Sequence, residues 1–235
     1  MSKTFKALSA LLSYPEEALQ EATPELRKIL DEEALLPRER RKALDALIEE
    51  IASTDLLTLQ ERYVELFDRT RPLSLHLFEH VHGESRDRGQ AMIDLKSIYE
   101  DNGLFLSKTE LPDYLQAFLE FLSLRPMEEA RKQLSQPAHI LTALTERLHK
   151  RQSSYAAIFE ALTAMAEVSA DTEEFEVVPE GDDADPNDFA ALDAQWEEEA
   201  VTFGPGAEPN CKDRLVSQIR AGRRPAADLP KGAAQ

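Results

Sequence analysis

The chain has a single cysteine, Cys211, in 235 residues. One thiol cannot build a disulfide framework or a cysteine-based zinc or iron–sulfur site within one chain, and the scarcity fits a reducing cytoplasm. No apolar run approaches the roughly 20 residues needed to cross a bilayer, so no membrane insertion is expected. The opening MSKTFKALSALLSYPEE has the look of a short signal peptide but lacks a small-residue cleavage site, and it reads as a first helix. A basic excess is also missing: 27 Lys and Arg face 45 Asp and Glu, for a formal charge of −18. That balance repels a phosphate backbone, excludes nucleic acid as the expected partner and favours basic peptides. There is no serine in a nucleophile elbow and no glycine-rich phosphate loop, so no catalytic residue is assigned and no cofactor is expected.

Glycine is absent from residues 1–82 and from 104–180, while prolines stand where helices should begin. Pro15, Pro24, Pro37, Pro112 and Pro126 each occupy a first-turn position, mostly with carboxylates beside them to meet the positive end of the helix dipole. Apolar residues fall into single helical stripes, among them Leu44, Leu47, Ile48 and Ile51, and Leu115, Phe118, Leu119 and Leu122. No run has strand-like alternation and no repeat marks a solenoid. These patterns predict an all-α fold, a single compact non-repetitive bundle over residues 1–168. Pro137 is expected to kink a long helix running from Pro126 to Lys150.

From about Ala170 the composition changes. Residues 171–208 carry fourteen carboxylates and no Lys or Arg, and self-repulsion predicts a flexible acidic tail over 169–235. Within it Phe189, Leu192 and Trp196 are spaced like one face of a short amphipathic helix, able to dock on a partner or fold back on the bundle. The last stretch, with Lys212, Arg214, Arg220, Arg223 and Arg224, is mildly basic.

The densest chemistry lies in residues 63–92, YVELFDRTRPLSLHLFEHVHGESRDRGQAM, around the first two glycines, Gly83 and Gly89. Polar groups bracketed by apolar helices cost stability unless they pair with each other or with a ligand, so this segment reads as a site or as a network that specifies the bundle. Tyr63, Phe67, Leu75 and Phe78, rimmed by Glu79, Glu84 and Asp87, would line a groove for an amphipathic basic helix. His76 and His80 share a helix face, and with His82 they suggest the alternative reading of a metal-dependent enzyme; a glutamate after the first histidine, as in zinc proteases, is replaced here by Leu77.

Tyr63-Val64-Glu65-Leu66-Phe67-Asp68, followed by the run from Leu75 to Met92 with His76, Phe78, Glu79, His80, His82, Glu84, Arg86 and Asp87, closely resembles the NarJ-type nitrate reductase delta subunits. The likeness extends to about residue 165 and resumes at Trp196-Glu197-Glu198-Glu199-Ala200-Val201-Thr202-Phe203. In the wider group of redox-enzyme maturation chaperones a Glu, Pro, Asp, His motif between helices binds peptide. Glu110-Leu111-Pro112-Asp113-Tyr114 is similar to it, with tyrosine in place of histidine. The resemblance implies a cytoplasmic, non-catalytic chaperone that binds the N-terminal segment of the apo catalytic subunit of nitrate reductase. It further implies that the chaperone permits molybdenum cofactor insertion before membrane attachment and is absent from the finished enzyme. Molybdenum cofactor biosynthesis proteins are further implied partners, and Glu110, Asp113 and Tyr114 join the residues above as expected peptide contacts.

Overall fold

The computed structural model describes residues 2–69, 71–80, 85–107 and 110–166, with the backbone alone for 85–87. Those residues form nine α-helices: α1 Lys3–Leu11, α2 Glu17–Glu33, α3 Arg38–Ser53, α4 Leu56–Tyr63, α5 Ser85–Glu100, α6 Leu115–Ser123, α7 Met127–Leu134, α8 Ala138–Lys150 and α9 Ala156–Met165. A π turn, Val64–Asp68, and two 3-10 turns, Arg71–Leu73 and Leu77–His80, separate α4 from α5. The expected all-α class is what these residues adopt. The expected acidic tail and its Trp196 motif lie outside the described residues.

Helix α1 packs on both α2 and α6, α2 on α3, α3 on α9, and α9 on α8. The apolar stripes supply the core: Phe5, Leu8 and Leu11 from α1 and Phe118, Leu119 and Leu122 from α6 are all buried. The Ser9 hydroxyl donates to the Gln116 main-chain carbonyl at 3.1 Å, a polar tie across the α1–α6 contact. At the other end of α1 the orphan N–H groups of the first turn have no local cap. Glu33, from the end of α2, supplies one, accepting from the Lys3 and Thr4 amides at 2.8 Å and from the Ser2 and Thr4 hydroxyls at 2.7 Å. Burial alone would raise the Glu33 pKa, but those donors outweigh it and hold the carboxyl down at about 2.

Pro15 and Pro112 stand outside the first turn, ahead of the N-cap residues Glu16 and Tyr114, and two further prolines depart more from expectation. Pro24 lies inside α2 rather than at a helix start. Without an amide proton it cannot bond the Gln20 carbonyl four residues back, and the Thr23 hydroxyl takes that acceptor at 2.7 Å, which relieves part of the cost of an interior proline. Pro137 does more than kink: the helix stops at Leu134 and a new one opens at Ala138, with Pro137 at its N-cap.

Candidate functional site

Between α4 and α6 the chain leaves regular helix. After Tyr63 it widens into the π turn, closed by the Arg69 amide on the Val64 carbonyl at 3.0 Å, a geometry that often marks functional positions. Pro72 then prevents helix from resuming, and the two 3-10 turns flank His76. His76 pairs antiparallel with Tyr114, through a Leu77 amide to Asp113 carbonyl bond and a Leu115 amide to Leu75 carbonyl bond, both 2.9 Å. The sequence offers no strand alternation here, yet this short pairing lays the Glu110-to-Tyr114 motif against the histidine segment.

Asp113 is the centre. Its carboxylate is fully buried, lies 3.1 Å from His76 Nδ1, accepts the Phe78 amide at 3.3 Å and has Arg88 of α5 at 3.7 Å. Arg88 also pairs with Glu79 at 3.3 Å. Burial opposes a charge on His76, but the hydrogen bond and charge of Asp113, with Glu79 behind, raise its pKa above the ordinary value. Burial likewise pushes Glu79 upward, and the Ser74 hydroxyl, Arg88 and His76 more than reverse it. Burial raises the Asp68 pKa and the charge of His76 lowers it in part, so a carboxylate of the π turn faces the same imidazole.

His80 is turned the other way. Its Nε2 lies 2.6 Å from the Ser74 carbonyl, which can only accept, so the neutral ring carries its proton there. Nδ1 faces Arg147 of α8 at 3.5 Å, and Arg147 also donates to the Pro72 carbonyl at 2.7 Å. Burial, then the Arg147 charge, drive the His80 pKa down to about 4 against the pull of that carbonyl. His76 and His80 therefore serve different partners, and among the described residues no group of three metal-ligating side chains forms. His82 and Glu84 lie outside the described residues, as do the side chains of Arg86 and Asp87.

The remaining expected residues divide by depth. Tyr63, Phe67, Leu75 and Phe78 are buried, part of the core rather than an open apolar face. The Tyr114 ring is half-buried and lies on His76, centroids 5.0 Å apart, and its hydroxyl accepts a hydrogen bond from the Gln116 side-chain amide at 2.8 Å and meets the Tyr63 hydroxyl at 3.4 Å. Tyr63 donates in turn to the Leu12 carbonyl at 2.8 Å. Glu110 is exposed and accepts the Ser107 amide at 3.0 Å.

An open groove of mixed apolar and charged lining does exist nearby. A groove of about 500 Å³ runs along α4 and the π turn, lined by Tyr14, Leu57, Glu61, Val64, Glu65 and Arg69 among others. Leu57 is 74% exposed and Tyr14 43%. Sequence reading passed over both; the available signal was Leu57 itself, an apolar residue off the stripe that Leu56 and Leu59 follow. Arg147 was also missed, although a cation among Leu141, Leu144 and Leu148 breaks their stripe.

The comparisons with known proteins agree in one direction. The family model described as nitrate reductase delta subunit matches residues 14–161. The nitrate reductase molybdenum cofactor assembly chaperone NarJ of Escherichia coli (strain K12) is 42% identical over 212 residues, 89% of this chain and 88% of that protein. The probable chaperone NarW of the same strain is 41% identical over 215 residues, 92% and 90% of the two chains. The probable NarJ of Bacillus subtilis (strain 168) is 35% identical over 164 residues, 70% of this chain and 88% of its own. On the family match and on these identities together, the chain belongs to the nitrate reductase delta subunit family.

Proposed function

We propose that the protein is a non-catalytic, cytoplasmic assembly chaperone of nitrate reductase. It binds the N-terminal segment of the apo catalytic subunit, permits molybdenum cofactor insertion, delays membrane attachment and leaves before the enzyme is complete. The observation that carries this reading is the 42% identity to a named cofactor assembly chaperone over 89% of the chain, with no catalytic signature in the sequence. No helix among the described residues is long and apolar enough to cross a membrane, which accords with a chaperone that works before attachment.

The proposed contact surface is the outer side of the Asp113 cluster. His76 and Tyr114 offer a ring face, and Asp68, Glu79 and Glu110 set a negative field around it that steers and pairs basic side chains of the client. Tyr63, Phe67, Leu75 and Phe78 support that surface from below. His80, His82, Glu84, Arg86, Asp87 and Asp113 complete the proposed segment, Asp113 by positioning His76. Calorimetric titration with a synthetic peptide of the catalytic subunit N-terminus tests the reading, beside a His76→Ala, Tyr114→Ala double variant. Saturable binding by the parent, weakened about tenfold or more in a variant of unchanged helix content, is expected. Failure of the parent to bind would overturn the client assignment; equal binding by the variant would overturn this location alone.

A further inference from the structure

The groove beside α4 has no lining residue in common with the Asp113 cluster. Leu57, Glu61 and Glu65 follow one another at four-residue spacing, so one helix face presents an exposed leucine and two carboxylates, with Val64 and Tyr14 beside them. A trough of that kind fits a helix whose apolar ridge is flanked by cations. The chain carries such a segment itself. Residues 212–224, KDRLVSQIRAGRR, hold five basic side chains against one carboxylate, Asp213, and place Leu215, Val216 and Ile219 at helical spacing.

We propose that residues 212–224 dock in this groove, with Leu215, Val216 and Ile219 against Tyr14, Leu57 and Val64 and the basic side chains against Glu61 and Glu65. The single cation of the lining, Arg69, meets a segment whose one carboxylate is Asp213, so both minority charges are also opposite in sign. Length permits the contact. Helix α9 ends at Met165, and 46 residues intervene before Lys212 (212 − 165 − 1). At roughly 3.3 Å per residue such a stretch reaches more than about 100 Å, against a radius of gyration of about 15 Å for a domain of this size. Tethering sets a local concentration on the order of 1 mM, enough for a contact too weak to form between separate molecules. The fourteen carboxylates of residues 171–208 compete for the same cations, but the groove adds apolar contact from Tyr14, Leu57 and Val64 beside its carboxylates.

Cys211 is the sole cysteine and directly precedes the segment, so a nitroxide on it reports the segment's position in the full chain without any substitution. In ¹⁵N-labelled protein the expected result is selective broadening of the amide signals of residues 57–69. Glu61→Lys with Glu65→Lys abolishes the effect, and adding Arg220→Glu with Arg223→Glu restores it. Broadening confined to residues 171–208, spread evenly over the chain, or unchanged by the charge reversals would overturn the proposal. So would broadening of nitroxide-free labelled protein mixed with labelled-thiol, ¹⁵N-free protein, which would assign the segment to the groove of a second copy.

Discussion

Glu33 at the end of α2 and Asp113 ahead of α6 each gather donors from remote parts of the chain, in opposite surroundings. Glu33 is half-buried and takes two amides and two hydroxyls, all neutral, from residues 2–4. Asp113 is fully buried and takes one amide, an imidazole and the near approach of a guanidinium. Neutral donors satisfy a carboxylate and end there, which suits a fastener. Ionisable partners instead balance the buried charge from the surface: His76 and Arg88 keep 29% and 28% of their side chains exposed, so the groups that answer the buried carboxylate remain open to solvent. The difference between the two regions is that one carboxylate holds a helix end, while the other, on the function proposed above, positions a contact surface.

Removing the carboxylate at each place breaks the comparison most directly. Asp113→Ala strands the Phe78 amide, unpairs His76 and leaves Arg88 with Glu79 alone, and breaking a buried charged pair in this way costs about 4 kcal/mol. Urea unfolding of the variant reads that loss as a lowered midpoint. Glu33→Ala exposes its orphan amides to water, which re-satisfies them in part, and a cost of about 2 kcal/mol is expected by the same measurement. Equal losses at the two sites would erase the distinction.

The histidines give the comparison a sign. For His80 the folded-state pKa, about 4, lies below the unfolded value of 6.5, so its contribution is complete above pH 6.5 and is lost as pH falls toward 4. That loss is of the order of 3 kcal/mol at its limit. For His76 the folded-state pKa is raised, so its contribution is complete below 6.5 and is lost as pH rises through the raised value. Glu33 adds a separate acid limb, present above 4.5 and lost as pH falls through about 2. Stability measured against pH should therefore fall on both sides of neutrality, and His76→Gln should flatten only the alkaline side.

The helices were legible because burial here follows the 3.6-residue period: the stripes of α3, α6 and α8 are the buried residues, and Pro37 and Pro126 mark the starts of α3 and α7. Pro24 was misread because its compensation, the Thr23 hydroxyl on the Gln20 carbonyl, is a hydrogen bond that proline statistics do not include. At the candidate site, residue types singled out two segments far apart in sequence, and the pairing of His76 with Tyr114 brings them side by side. Depth was not legible. Phe67 and Phe78 read equally well as groove or core, and only their neighbours, Tyr155 against Phe67 for one, decide for core. The Glu33 clamp was invisible for the same reason, since it joins elements 29 to 31 residues apart.

Tyr114 would separate the fastening role from the proposed contacting role within one side chain, and it gives the smallest expected change. Its hydroxyl accepts from Gln116 and touches Tyr63, while its ring lies on His76. Tyr114→Phe removes the hydroxyl and keeps the ring. Gln116 keeps one N–H on the Leu12 carbonyl at 2.7 Å and turns the other to the Tyr63 hydroxyl, now 3.5 Å away, while Tyr63 keeps the Leu12 carbonyl, so one hydrogen bond is weakened and the cost should be about 1 kcal/mol. The His76 titration, followed by the NMR signals of its ring, should stay where it is, because Asp113 rather than the phenol sets it. Client-peptide affinity should also hold if the ring face makes the contact, and Tyr114→Ala should then lose it. A Tyr114→Phe variant that keeps its stability but loses the peptide would reverse the assignment, making the hydroxyl the contact and the ring its support.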